Sequence, residues 1–199
     1  MKKQVILIRG GEVFEKKSDF IKYLKNLDID LDRFRKIRWS DSLKSDLGAD
    51  FDTLVIKMPN AQNAKYGEWR IFFQKILEKA DDNLILIGHS LGGSFLVKYL
   101  AENNFPKSIK ALFLLSAPYE QSGLNESLKD FKPPKNLDKL KSQVGQIYLY
   151  HSLDDPIVPF SHLQKYQRAL PGAIVRQYKS KGHFLQKKFS GLLKDIRNL

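Results

Sequence analysis

Ser90 lies between two glycines in Leu84-Ile85-Leu86-Ile87-Gly88-His89-Ser90-Leu91-Gly92-Gly93, where an apolar run passes through Gly-x-Ser-x-Gly into a helical pattern. A strand that turns so sharply into a helix passes close to itself, and Gly88 and Gly92 leave space where a β-carbon would clash. The hydroxyl of Ser90 is then held exposed at the strand's end. The Leu91 N–H faces the same point from the first turn of a helix, where developing negative charge is favoured. Nucleophilic attack on an acyl carbonyl is the chemistry this arrangement suits. Gly88 and Gly93 also have the spacing of a phosphate-binding loop, but Ser94 occupies the position that needs lysine.

A serine hydroxyl needs a base, and the base needs a carboxylate to orient it. His183, in Lys179-Ser180-Lys181-Gly182-His183-Phe184, follows the last strand-like run and precedes the last helical stripe. It is the candidate base. Of the other histidines, His89 lies inside the turn and points away from Ser90. His151 ends a strand and reads as a supporting group or a polar core residue, and His162 reads as a surface residue of a helix. The acid belongs after the penultimate strand, where His151-Ser152-Leu153-Asp154-Asp155-Pro156-Ile157-Val158-Pro159 offers two aspartates. Asp155, in a turn that Pro156 stiffens, is preferred. Asp154 is the alternative, and its other reading is a turn or cap carboxylate.

A second oxyanion donor is expected from the loop after the first strand, Arg9-Gly10-Gly11-Glu12. The Gly11 N–H is the candidate, with Gly10 beside it, because glycines let backbone approach a substrate closely. Arg9, Gly10 and Glu12 are the candidate substrate-binding residues. A Glu12 carboxylate near a developing oxyanion would oppose the reaction. Arg9 would then neutralise Glu12 or bind an anionic group, unless both side chains face solvent.

These residues need a scaffold that brings strand ends together. Val5–Ile8, Thr53–Lys57, Leu84–Ile87, Ile109–Leu115, Gln146–Tyr150 and Ala173–Gln177 read as strands covered on both faces, because their apolar runs are continuous. Helical spacing separates them. Trp69, Phe72, Phe73, Ile76 and Leu77 form one stripe; Leu91, Phe95, Leu96, Tyr99 and Leu100 another; Leu185, Phe189, Leu192, Leu193 and Ile196 a third. Pro159 opens a further helix that stops near Leu170-Pro171-Gly172. The alternation implies a three-layer α/β/α sandwich with a mostly parallel central sheet, whose ligands bind at the carboxyl ends of the strands. Asp28 to Asp50 and Glu120 to Ser142 fit the alternation poorly, and the second is expected to form a small flap over the site.

The 199 residues, 42% of them hydrophobic, suit one domain spanning 1–199. No cysteine is present, which excludes disulfides, thiol nucleophiles and cysteine-based zinc sites. No apolar stretch approaches a membrane-spanning length, so a cytoplasmic location without membrane association is expected. The net charge of +12 favours anionic partners in general.

The segments Gly10-Gly11, Lys57-Met58-Pro59-Asn60 with Tyr66 and Trp69, Gly88 to Gly93, Asp154-Asp155-Pro156 with Val158-Pro159, and Gly182-His183-Phe184 resemble the small single-domain serine hydrolases typified by retinoblastoma-binding protein 9, within the α/β-hydrolase superfamily. The resemblance covers nearly the whole chain. It implies an α/β-hydrolase fold without a large lid domain. It implies that the second aspartate of Asp-Asp-Pro, Asp155, is the acid and the histidine of Gly-His-Phe, His183, is the base. It also implies cleavage of esters or related acyl bonds in a small-molecule substrate, without metal or organic cofactor. The chain departs from many α/β-hydrolases in having Arg9 where histidine is usual and Glu12 where glycine is frequent. One alternative is a binding protein that keeps the hydrolase fold. Another is nucleic-acid binding through Arg33-Phe34-Arg35-Lys36-Ile37-Arg38-Trp39. That segment mixes cations with aromatics but lacks a recognition motif; it also reads as a basic face with Phe34, Ile37 and Trp39 packed beneath.

Overall fold

The apolar runs form a six-stranded sheet among residues 2–125 and 127–199, which, apart from the Arg33 side chain, are the residues that the computed structural model describes. The strands are β1 (Lys3–Ile8), β2 (Phe51–Ile56), β3 (Leu84–His89), β4 (Ile109–Leu115), β5 (Val144–Ser152) and β6 (Ile174–Tyr178). Their order is β2-β1-β3-β4-β5-β6, and every pairing is parallel. The chain moves outward from β1 to β2, returns past β1 to β3, and then continues the other way. The order therefore reverses between β1 and β3, where Ile8 pairs with Gly88. A crevice opens outside the carboxyl ends of the strands at such a reversal. The Arg9–Glu12 loop leaves β1 there, and Ser90 leaves β3 beside it.

Both faces of the sheet are covered, as continuous apolar strands require. Val5 and Leu7 point to one face and Ile6 and Ile8 to the other, and all four are fully buried. The first face packs on α3 (Trp39–Leu47) and α8 (Ser190–Arg197), through Trp39, Leu43, Leu192 and Ile196. The second packs on α4 (Tyr66–Leu77), α5 (Leu91–Glu102), α6 (Asp138–Gln143) and α7 (Ser161–Ala169). Two further helices, α1 (Lys17–Lys25) and α2 (Asp32–Arg35), lie among exposed residues on the first half of the chain. The architecture is the expected three-layer sandwich of the α/β-hydrolase fold.

Three expectations need correction. The segment 28–50 is not a mere interruption, because α3 buries Trp39, Leu43 and Leu47 at i, i+4 and i+8. Leu185 does not belong to the last helical stripe; it precedes α8 and is exposed. Phe34 and Ile37 are not packed beneath a basic face, being 77% and 56% exposed, whereas Trp39 is buried.

The 120–142 segment both roofs the crevice and joins the core. Leu124, Asn125, Ser127 and Leu128 line the cavity at Ser90. Phe131 is fully buried, with its ring edge-on to Tyr66 and Trp69, and Leu137 and Leu140 are buried as well. Ser127 Oγ donates to Glu15 Oε1 at 2.5 Å and Lys129 Nζ to the Glu15 carbonyl at 3.1 Å, which tie the roof to the opposite wall.

Candidate active site

Ser90 has φ 55° and ψ −129°, a left-handed backbone that a residue with a β-carbon adopts only under constraint. The constraint comes from both sides. The Ser90 N–H donates to the Leu115 carbonyl at 2.9 Å, and the Ser90 carbonyl accepts from the Gly93 N–H at 2.8 Å. Glycines make the turn possible. A β-carbon at Gly88 would lie 2.5 Å from the Gly93 α-carbon, and one at Gly92 would lie 2.3 Å from the Ile8 carbonyl oxygen. Gly10 packs directly under the nucleophile position, because a β-carbon there would lie 2.9 Å from Ser90 Cβ.

Ser90, Leu91 and Gly11 line one cavity of about 150 Å³, walled by Val13, Leu124, Leu128 and Val158. Among the described residues, the amides of Leu91 and Gly11 have no hydrogen-bond acceptor. The next residue fixes the loop: the Glu12 N–H donates to the Ala61 carbonyl and the Glu12 carbonyl accepts from the Ala64 N–H, each at 2.8 Å. The Glu12 side chain, expected at the substrate, turns elsewhere. Its Oε1 accepts from the Tyr23 hydroxyl at 3.1 Å, and it lines a hollow that does not include Ser90. Arg9 does not neutralise Glu12 either, since its guanidinium pairs with Asp41 at 2.5 Å.

His183 Nδ1 lies 2.9 Å from Asp155 Oδ2 and 3.1 Å from Oδ1. Oδ1 also accepts from the N–H groups of Ile157 at 2.9 Å and Val158 at 3.0 Å. Burial alone would push the Asp155 carboxyl up. The His183 hydrogen bond and charge, together with the Val158 amide, outweigh burial and hold it well below the usual carboxylate range. An ionised carboxylate only accepts, so Nδ1 carries the imidazole proton and Nε2 is left as the acceptor. Ser90 and His183 line the same cleft of about 230 Å³. Among the described residues no hydrogen bond joins the Ser90 hydroxyl to Nε2. Such contacts are commonly long without substrate and shorten on binding.

The loop that carries His183 is held by four residues, of which sequence reasoning gave only Asp154 a capping role. Asp154 Oδ1 accepts from the N–H groups of Lys181 at 3.1 Å and Gly182 at 2.9 Å. Ser152 Oγ accepts from the Lys181 N–H at 2.8 Å. His89 Nε2 contacts the His183 carbonyl at 2.8 Å and donates to it. Trp39 Nε1 donates to the Phe184 carbonyl at 2.7 Å. Asp154 thus takes the capping role. His151 holds the other partner, with Nε2 donating to the Val158 carbonyl at 2.8 Å and lying 3.8 Å from Asp155 Oδ2.

His162, expected at the surface, is fully buried. Its Nδ1 accepts from the Tyr119 N–H at 3.0 Å and its Nε2 donates to the Ser122 carbonyl at 2.9 Å, so it anchors the start of the roof in the neutral form. Burial lowers the proton affinity of His162, His151 and His89, the last to about 3. The unfolded chain takes up a proton on each as pH falls through about 6.5, while the folded chain takes it up only at lower pH. Their contribution to stability is therefore complete above about pH 6.5 and declines below it, by up to about 1.4 kcal/mol per pH unit for each excluded proton. Chemical denaturation between pH 6.5 and 5 should show this decline, and His162→Gln, which keeps both hydrogen bonds without titrating, should flatten it. Parallel curves for the two proteins would contradict the assignment.

Among the described residues, no group of three or more His, Cys, Asp or Glu side chains is placed to hold a metal ion, and no helix is long and apolar enough to cross a membrane.

The family model for serine hydrolases matches residues 34–196. Serine hydrolase RBBP9 of Rattus norvegicus is 28% identical over 151 residues, which are 75% of this chain and 78% of that protein. The solved structure of the ydeN gene product from B. subtilis superposes with a TM-score of 0.77 at 21% identity, covering 99% of this chain and 98% of that one. Esterase RhEst1 from Rhodococcus sp. ECU1013 superposes at 0.67 with 14% identity, covering 99% and 90%. The two structures share the fold, and the match of the family model across most of the chain, elbow and histidine loop included, shows that the chain belongs to the serine hydrolase family.

Proposed function

We propose that the chain hydrolyses a carboxylic ester or related acyl bond of a small molecule, with Ser90 as nucleophile, His183 as base and Asp155 as the group that orients it. The observation that supports this reading is the Asp155–His183 pair, in which Nδ1 is engaged by the carboxylate, in a cleft that Ser90 also lines.

Nε2 of His183 takes the proton of Ser90 as Oγ bonds to the acyl carbon. The carbonyl π electrons move to oxygen, and the amides of Leu91 and Gly11 receive that oxyanion. Asp155 stabilises the imidazolium without taking its proton. When the tetrahedral intermediate collapses, the bond to the leaving group breaks and His183 returns the proton to the departing atom. Water, deprotonated by the same nitrogen, then attacks the acyl-enzyme and frees Ser90. No cofactor enters these steps.

A fluorophosphonate probe should label the wild-type protein at Ser90, and Ser90→Ala should be unlabelled and inactive towards p-nitrophenyl butanoate. Equal labelling of the two proteins would overturn the nucleophile assignment. A folded wild-type protein with neither labelling nor turnover would favour a binding protein built on this fold.

A further inference from the structure

Ser90 opens onto two hollows of different chemistry, and the division assigns the two halves of a substrate. The first, of about 150 Å³, holds the free amides of Leu91 and Gly11 and is walled by Val13, Leu124, Leu128 and Val158. An acyl carbonyl that points its oxygen at those amides lays its carbon chain against these apolar walls. The second holds His183, with Arg9, Arg38 and Trp39 in its lining and Ile157 and Leu185 exposed in it. The group that protonates the departing atom must lie on the leaving group's side. The leaving group therefore occupies the cleft that contains the two arginines.

Two guanidinium groups stand in the lining of that cleft. Arg9 pairs with Asp41 at 2.5 Å. Arg38 gives Asp41 only its backbone N–H, at 2.8 Å, and among the described residues its guanidinium forms no ion pair. Among the described residues Asp41 is the one carboxylate in ion-pair contact with either guanidinium, and the ionised Asp155 is taken up by His183, so the Arg38 guanidinium is left available to an anion beside the position of the departing atom. Arg9 Nε is in addition buried without a hydrogen-bond partner. Glu12, Asp28 and Asp30 share a second hollow with Arg38, none of them in ion-pair contact with it.

We infer that the alcohol released by this enzyme carries an oxyanion, a carboxylate or a phosphate, received by Arg38 with Arg9 beside it. This deepens the hydrolase reading and rests on it. A planar guanidinium can grip either anion with two parallel N–H donors, and the site is half-enclosed, so the contact is screened less than one on an open surface.

Three esters of one acyl group separate the possibilities: 4-butanoyloxybenzoate, 4-butanoyloxyphenyl phosphate and neutral 4-butanoyloxybenzamide. The wild-type protein should cleave at least one anionic ester with kcat/KM about tenfold above that of the amide, the size expected of one charge-assisted contact at a partly open site. The better of the two identifies the anion. The ratio should fall towards one in 0.5 M NaCl and in Arg38→Gln, and Arg38→Lys should keep part of it. Fluorophosphonate labelling of Ser90 reports that each variant is folded, and the salt series in the wild-type protein needs no variant. Equal kcat/KM for all three esters with Ser90 labelled would overturn this inference and leave the hydrolase reading intact. So would an anionic preference that survives both salt and Arg38→Gln. Failure of every ester together with an unlabelled Ser90 would overturn both.

Discussion

Asp155→Asn should lower kcat by about four orders of magnitude, or roughly 5 kcal/mol of barrier, with little change in KM. The reason is the direction of one proton. The Asp155 Oδ1 accepts from the N–H groups of Ile157 and Val158, so an asparagine must place its carbonyl oxygen there. Its NH2 group is then turned towards His183 Nδ1, where Oδ2 now accepts at 2.9 Å. A donor facing Nδ1 forces the imidazole proton onto Nε2, and a protonated Nε2 cannot accept the proton of Ser90. Asp154→Asn is the informative comparison. Its carbonyl oxygen can still accept from Lys181 and Gly182, so the His183 loop keeps its support and the loss should stay within about tenfold. Single-turnover kinetics with p-nitrophenyl butanoate measure both. Equal losses in the two variants would mean that the orienting carboxylate has been misassigned.

The scaffold was legible because its signals are local. A buried strand announces itself as Leu84-Ile85-Leu86-Ile87, and the glycines that follow announce the turn. Parallel order at the strand ends then brings Gly10, Ser90, Asp155 and His183 to one edge, and the observed β1/β3 reversal places the first two side by side. What sequence reasoning missed depends on contacts between distant segments. Trp39 reaches the Phe184 carbonyl across 145 positions, and its apolar spacing with Leu43 and Leu47 is hidden among charged neighbours. His162 is buried because the amide of Tyr119 and the carbonyl of Ser122 require its two nitrogens, and neither requirement is visible in the helix that carries it. Glu12 turns away because Tyr23, eleven residues on, supplies a hydroxyl. Arg38 was read as part of a basic run, and only the fold brings it to the cleft of Ser90 and His183.

Gly92→Ala should destabilise the protein by about 3 kcal/mol or more, lowering Tm by roughly 6–12 °C, and should depress activity beyond what the loss of folded protein explains. Helix propensity points the other way, since alanine favours a helix over glycine by up to about 1 kcal/mol. Sterics decide the sign. The added β-carbon would lie 2.3 Å from the Ile8 carbonyl oxygen and 2.6 Å from that of Arg9. These are backbone atoms at the end of the buried central strand β1 and the start of the loop that leaves it, and they cannot rotate aside, so this edge of β1 and α5 must separate. Separation shifts the Arg9–Glu12 loop relative to Ser90, and with it the Gly11 amide proposed to receive the oxyanion. Losing one such donor raises the barrier by about 3–4 kcal/mol. Gly67→Ala supplies the opposite case. Gly67 lies exposed near the start of α4, a β-carbon there meets nothing within 4 Å, and propensity is left unopposed. That variant should match or slightly exceed the wild-type Tm and keep full activity. Differential scanning calorimetry paired with active-site titration separates folding from catalysis in both. A Gly92→Ala protein as stable and active as Gly67→Ala would mean that β1 and α5 are not in the close contact on which the geometry of the elbow depends.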